Sequence, residues 1–247
     1  MTDESPADEH LERDEPVALI AEIRRELKEL RLRNTDDGRL WEQLGILELA
    51  RQQQEAAQWA LEMASLLCPL SHRGQMALAD CYVKAGFIES ASAIYQHLAA
   101  VIRLETDILE ELAAGLGRVG EPELALAVCR EAADRMPNSA GPLLGIVHYL
   151  RRLRRPAATV LPYLKQAFEL DPSDNECRIS LAWILHTCGR SEDGANLLDT
   201  VPLHELECVR SLTVMRRVFE AVADEHCATV CKYRLDAIAA QRWRERP

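Results

Sequence analysis

Residues 41–69 read Trp41-Glu-Gln-Leu44-Gly45-Ile46-Leu-Glu-Leu49-Ala-Arg-Gln-Gln-Gln-Glu-Ala-Ala57-Gln-Trp-Ala-Leu61-Glu-Met-Ala64-Ser-Leu-Leu-Cys68-Pro69. The informative part is the order of sizes. A bulky Leu44 is followed by Gly45. Ala57 then stands four residues before the bulky Leu61, and Ala64 three residues after it. Small residues at such fixed points let two neighbouring helices approach closely, and Pro69 blocks continuation of the second.

The same frame recurs along the chain. Starts fall near residues 38, 72, 106, 140, 175 and 209, in steps of 34, 34, 34, 35 and 34. The bulky position of the first helix is Leu44, Leu78, Leu112, Ile146, Leu181 and Met215. The next residue is Gly45, Ala79, Ala113, Val147, Ala182 and Arg216. The small position of the second helix is Ala57, Ala91, Ala125, Val160, Gly194 and Ala228. The bulky one after it is Leu61, Tyr95, Cys129, Leu164, Leu198 and Lys232. Closing prolines stand at Pro69, Pro137 and Pro172, and Arg103 takes that place in the second repeat.

Spacing and residue types together resemble the tetratricopeptide repeat, a 34-residue helix–turn–helix that stacks on copies of itself. The resemblance covers roughly residues 38–242. It implies an all-α fold: a right-handed α-solenoid of about six stacked antiparallel helix pairs. The repeats are expected near 38–71, 72–105, 106–139, 140–174, 175–208 and 209–242. The departures are local. The one-residue step lies in Arg154-Arg155-Pro156, and Val201-Pro202 shortens the second helix of the fifth repeat. Arg216 and Lys232 put charge into apolar positions of the sixth, which suits a terminal repeat with no neighbour to cover it.

The flanks read differently. Residues 1–16 hold seven acids against Arg13, a net charge of −6 out of −11 for all 247 residues. With Pro6 and Pro16 they read as an acidic disordered tail. From Val17, the positions Ile20, Ile23, Leu27 and Leu30 share one helix face. Residues 17–37 are therefore expected to form an N-terminal helix that caps the first repeat. Self-association through that seam is the alternative. Residues 243–247 read as a C-terminal tail.

Composition excludes several classes. The acidic balance argues against nucleic-acid binding, which needs a basic footprint. No apolar run reaches the roughly 18 residues of a membrane span. The polar start is no signal peptide, so a cytoplasmic location is expected. The eight cysteines form no CxxC pair and read as reduced thiols.

Chemical motifs are few. Gly115-x-Gly117-x-x-Gly120 matches a dinucleotide fingerprint, but it follows a helical stretch where that chemistry needs a strand. The proline of Cys68-Pro69 is explained by the repeat frame rather than by haem. His204 and Cys208 with Cys227 and Cys231 fall at opposite ends of antiparallel helices. His186 and Cys188 with His226 and Cys227 lie on one edge. Neither set is taken as a metal site, and no cofactor is expected. There is no Ser/His/Asp elbow, phosphate loop or HExxH motif, so a non-enzymatic protein is expected.

What remains is a surface. The resemblance implies that first helices line a concave groove. One position on that face reads Ile46, Asp80, Ala114, His148, Trp183 and Arg217. The position nearly a turn further reads Leu49, Val83, Gly117, Arg151, His186 and Glu220. His148, Arg151 and Arg152 share one face, and Trp183, His186 and Arg217 follow in later repeats. Guanidinium groups beside an aromatic ring suit a protein or peptide segment carrying carboxylates and an apolar anchor. The other reading leaves Arg151–Arg155 as a solvated helix end favoured by the helix dipole, with Trp183 packed on a neighbouring helix. The carboxylate clamp of the chaperone-tail subclass is absent, since Glu42, Ile46, Ala77, Asp107 and Glu111 stand there. The expected function is a scaffold or adaptor. The alternatives are a homo-oligomeric assembly module and an accessory subunit of an enzyme or secretion system.

Overall fold

A computed structural model of the chain describes residues 6–32, 37–101, 104–203 and 206–244. Thirteen helices and no strand are found among these residues. The chain divides into two compact units, residues 1–128 and 129–247, with the boundary inside the seventh helix.

Unit 1 holds α1 (Pro6–Leu32), α2 (Gly38–Ala50), α3 (Gln54–Leu67), α4 (His72–Ala85), α5 (Ile88–Ala99), α6 (Thr106–Arg118) and the first half of α7 (Pro122–Arg135). Unit 2 holds the rest of α7, then α8 (Ala140–Arg152), α9 (Ala157–Leu170), α10 (Asn175–Thr187), α11 (Ser191–Leu198), α12 (Val209–Ala221) and α13 (Glu225–Arg244). Within each unit the helices pair in sequence order, α2 with α3, α4 with α5, α8 with α9, α10 with α11 and α12 with α13. First helices also touch first helices, α2 with α4, α4 with α6 and α10 with α12. The second helix of one pair packs on the first of the next, as α3 does on α4 and α9 on α10.

Close approach rests on the small residues. A Cβ on Gly45 would lie 2.5 Å from Leu61 and 3.2 Å from the Ala57 carbonyl oxygen. In the fifth pair the two small positions also meet, since a Cβ on Gly194 would come within 2.7 Å of the Ala182 carbonyl oxygen. Gly115 lies under the ring of Tyr95, and an added Cβ would be 2.6 Å from it. Gly115 and Gly117 are thus buried packing residues within α6, and Gly120 is a turn residue with φ of 90°. The glycine fingerprint has no strand before it.

The turn inside each pair is the same. The residue fourteen places after the first residue of each first helix is left-handed: Gln52, Gly86, Gly120, Arg154, Gly189 and Ala223, with φ between 53° and 90°. The following amide then donates back to a carbonyl five residues earlier, Gln53 to Glu48, Phe87 to Tyr82, Glu121 to Leu116, Arg155 to Leu150, Arg190 to Leu185 and Asp224 to Phe219. These bonds satisfy last-turn carbonyls and fix where the second helix begins. The extra residue of the fourth pair falls after this turn, at Arg155-Pro156, before α9 starts. N-caps add precision: Asp174 accepts from the amides of Glu176 and Cys177 at 2.8 and 3.1 Å, and Ser71 accepts from Gly74 at 3.1 Å.

Each unit buries its own apolar seams. Ile20, Ile23 and Leu27 of α1 pack with Trp41, Leu44, Ala60 and Ala64. Ile179, Ala182, Leu198, Met215, Phe219 and Cys231 form the core of the last two pairs. Glu48 is only 1 % exposed, and Arg24 of α1 donates to it at 2.5 Å while Arg51 stands at 3.7 Å. Burial of a lone carboxylate is costly, so this pairing ties α1 to the first repeat.

The ends differ from expectation. The segment read as a disordered tail to residue 16 is helical from Pro6 onward and continuous with the capping helix. Acids in the first turn of a helix are favoured by its dipole and Pro6 opens the helix, whereas Pro16 lies inside it and costs one backbone hydrogen bond. At the other end α13 runs to Arg244, into the expected tail. Arg103 and His204 lie outside the described residues. Arg216 lies 3.3 Å from Glu220, one turn further along α12, and so keeps its charge paired while its stem packs.

Candidate functional site

The candidate residues named from the sequence all lie in unit 2. α8 carries His148, Arg151 and Arg152, α10 carries Trp183 and His186, and α12 carries Arg217. The frame gives α8, α10 and α12 equivalent places in successive pairs, and α10 packs directly on α12.

Two of the six, Arg151 and Trp183, share a concavity. A pocket of about 140 Å³ is lined by Arg151 of α8, by Glu176, Ile179 and Trp183 of α10, and by Arg210 and Ser211 at the start of α12. Ser211 is buried, and its hydroxyl donates to the Glu176 carboxylate at 3.0 and 3.3 Å. This hydrogen bond joins the first turns of α10 and α12. The pocket therefore holds two guanidinium groups against one carboxylate. Arg151 has its pKa lowered, first by burial and then by the positive charge of Arg210. Two cations that disfavour each other are a natural receptor for an added anion.

Trp183 is half-buried. One side packs against the Ile179, Met215 and Phe219 core, and the ring also lines the pocket. The sequence offered two readings of this residue, groove anchor and packed side chain, and the ring has both environments. The reason is geometric, since a ring of this size on α10 spans the seam to α12. His186 lies against the same indole with ring centroids 5.2 Å apart, and its Nδ1 is 2.9 Å from the Ser191 hydroxyl. His186 thus braces Trp183 from outside the pocket.

The other three candidates do not line the pocket. His148 is exposed and sets its ring edge-on to Tyr149. Arg152 and Arg217 are exposed. Arg217 shares the frame position of Trp183, but the pocket runs toward the start of α12, where Arg210 sits. Sequence reasoning missed Arg210, although a signal existed. Arg210 shares a frame position with Glu176, Asp107 and Arg73, and in unit 1 Arg73 and Asp107 form an ion pair across neighbouring first helices.

In unit 1 the comparable face is already engaged. Asp80 accepts from both Tyr95 and Arg118, closing a three-residue network. Burial, followed by the bond to Asp80, pushes the Tyr95 hydroxyl pKa upward, so it stays a donor. Among the described residues no group of three His, Cys, Asp or Glu side chains is placed to hold a metal ion. No helix among them is long and apolar enough to cross a membrane.

The fold is that of the tetratricopeptide-repeat solenoids. The chain is similar to PilF of Pseudomonas aeruginosa, with a TM-score of 0.64 at 19 % identity over 81 % of this chain and 91 % of that one. It is also similar to YrrB, described as a TPR protein with an unusual peptide-binding site, with a TM-score of 0.59 at 14 % identity over 85 % and 97 % of the two chains. A MamA structure aligns with a TM-score of 0.55 at 10 % identity over 76 % and 95 %. No protein-family model and no curated protein matches the sequence.

Proposed function

We propose that this protein is a non-enzymatic scaffold that holds an acidic segment of a partner protein on unit 2. A carboxylate of the segment lies between Arg151 and Arg210, and an apolar side chain rests on Trp183. The observation that carries this reading is the shared pocket of Arg151, Arg210 and Trp183, with two cations and one anion around it. Arginine recognises carboxylates by a two-pronged hydrogen-bonded fork, and the indole supplies contact area beside it. The peptide-binding site described for YrrB supports the same class of function.

The test is capture from a native lysate with wild type and an Arg151→Ala/Arg210→Ala variant, followed by titration of the captured protein's acidic segment. Loss of the same partner from the variant, with the fold intact, supports the reading. Equal capture by both proteins removes this pocket as the site.

A further inference from the structure

Unit 1 contains a second concavity, about 370 Å³ and larger than the unit 2 pocket, bordered by α1, α2 and α3. It exists because α1 is a single helix covering a pair. Ile20, Ile23 and Leu27 pack down on the first pair, and among the described residues the space beside them is lined by α1, α2 and α3 alone. The walls are apolar. Leu27 and Leu44 face the indoles of Trp41 and Trp59, which meet edge to face at 4.9 Å. Trp41 is buried, whereas Trp59 is 50 % exposed.

The charge at this cavity is unequal. Glu48 lines it, but that carboxylate is already matched by Arg24 at 2.5 Å and by Arg51 at 3.7 Å. Lys28 stands one turn beyond Arg24 on the same face of α1 and also lines the opening. Arg25 points elsewhere, 3.8 Å from Glu22. With Arg24 paired to Glu48, the positive excess at the mouth is at Lys28. The volume falls at the lower end of the range for small-ligand pockets, and three helices border it. A docked protein would need a far wider surface, on the order of 800 Å².

We propose that this cavity binds a small amphiphilic carboxylate. Its apolar chain lies between Trp59 and the Leu27–Leu44 wall, and its head group pairs with Lys28. The long stem of Lys28 reaches along the apolar wall while the ammonium stays at the opening. No covalent step is involved, and the site is separate from the unit 2 pocket.

The experiment uses the full chain and decanoate below its micelle-forming range, with tryptophan emission and calorimetry as readouts. Decanoate is expected to saturate one site, to shift tryptophan emission to the blue, and to bind about tenfold tighter than decyltrimethylammonium. Lys28→Glu, a surface change that leaves the core untouched, is expected to lose about tenfold in affinity. Trp59→Ala should reduce the emission shift, leaving only what Trp41 reports, and Arg151→Ala/Arg210→Ala should leave decanoate binding unchanged. If Trp59→Ala fails to fold, the Lys28→Glu result and the cationic comparator decide. Absence of saturation, equal binding of the two amphiphiles, or full affinity in Lys28→Glu overturns the proposal. Saturation of the same emission change by an acidic amphipathic helical peptide, with none by decanoate, also overturns it and makes the cavity a protein-docking site.

Discussion

Arg151 and Arg210 come from different helices and face the same pocket, where the charge on Arg210 adds to burial in lowering the Arg151 pKa. The two cations oppose each other, and an anion placed between them would relieve that opposition. Arg210→Ala is therefore expected to leave the melting temperature unchanged or slightly higher, while binding of an acidic segment weakens by roughly tenfold. Affinity should also fall with added salt, because the pocket is open to screening. Thermal melts and titrations at two ionic strengths measure both effects. A large stability loss in Arg210→Ala would make that residue structural.

Trp183 packs on the core and also lines the pocket, and substitution can separate packing from the proposed segment binding. Its packing against Ile179, Met215 and Phe219 predicts that Trp183→Ala costs about 2–3 kcal/mol, less than full burial would give. Trp183→Phe keeps an aromatic in the seam and is expected to recover most of that stability. It recovers less of the segment affinity, since the indole face is smaller. Urea denaturation read beside binding distinguishes packing from segment binding.

The six equivalent turns offer an internal comparison. Gly86, Gly120 and Gly189 adopt positive φ freely, whereas Gln52, Arg154 and Ala223 adopt it against their own Cβ. A left-handed backbone costs a residue with a Cβ about 1 kcal/mol. Gln52→Gly and Ala223→Gly are each expected to raise stability by up to about 1 kcal/mol, the gain reduced by the greater freedom of the unfolded glycine. Gly86→Ala is expected to lose about the same amount. A Cβ there meets no neighbour within 4 Å, so the loss would report backbone strain alone. Midpoints of chemical unfolding provide the measurement.

The cysteines should react in a set order. Cys208 is exposed, and Ser211 holds its thiol below the ordinary range, through the hydroxyl, whose one proton Glu176 also claims, and through the amide. Cys81, Cys177 and Cys231 are buried, and burial pushes each to about 11. At pH 8 under native conditions a disulfide reagent is expected to show a fast phase that Cys208→Ser removes. The three buried thiols should react only on unfolding, because the thiolate is the nucleophile and must also be reached. Rapid native labelling of Cys81 would contradict this.

The residues at which two backbones must touch are visible in the sequence. Gly45 against Leu61 and Gly194 against Ala182 can only be small, so their spacing announces an all-α array of paired helices before any coordinate is known. The local chemistry of the chain is sufficient for that, because close approach, turn and helix stop are each encoded within about 34 residues. The start of α1 was less legible. An acidic, Pro-containing stretch reads as unstructured by composition, yet it continues the helix whose seam begins at Ile20.

The candidate site divides along the same line. Trp183 and Arg151 stand out in the sequence because the repeat does not require them. Their meeting with Arg210, rather than with Arg217, was decided by tertiary structure. A helical frame assigns each residue a height and a face, but a guanidinium on a long flexible stem can turn toward either end of its helix. The bond from Ser211 to Glu176 draws the start of α12 against α10, and that contact between residues 35 apart places Arg210 at the pocket. The cavity beside Trp59 has the same origin. Its walls come from three helices, and its existence depends on how α1 sits on them, which no repeat spacing specifies.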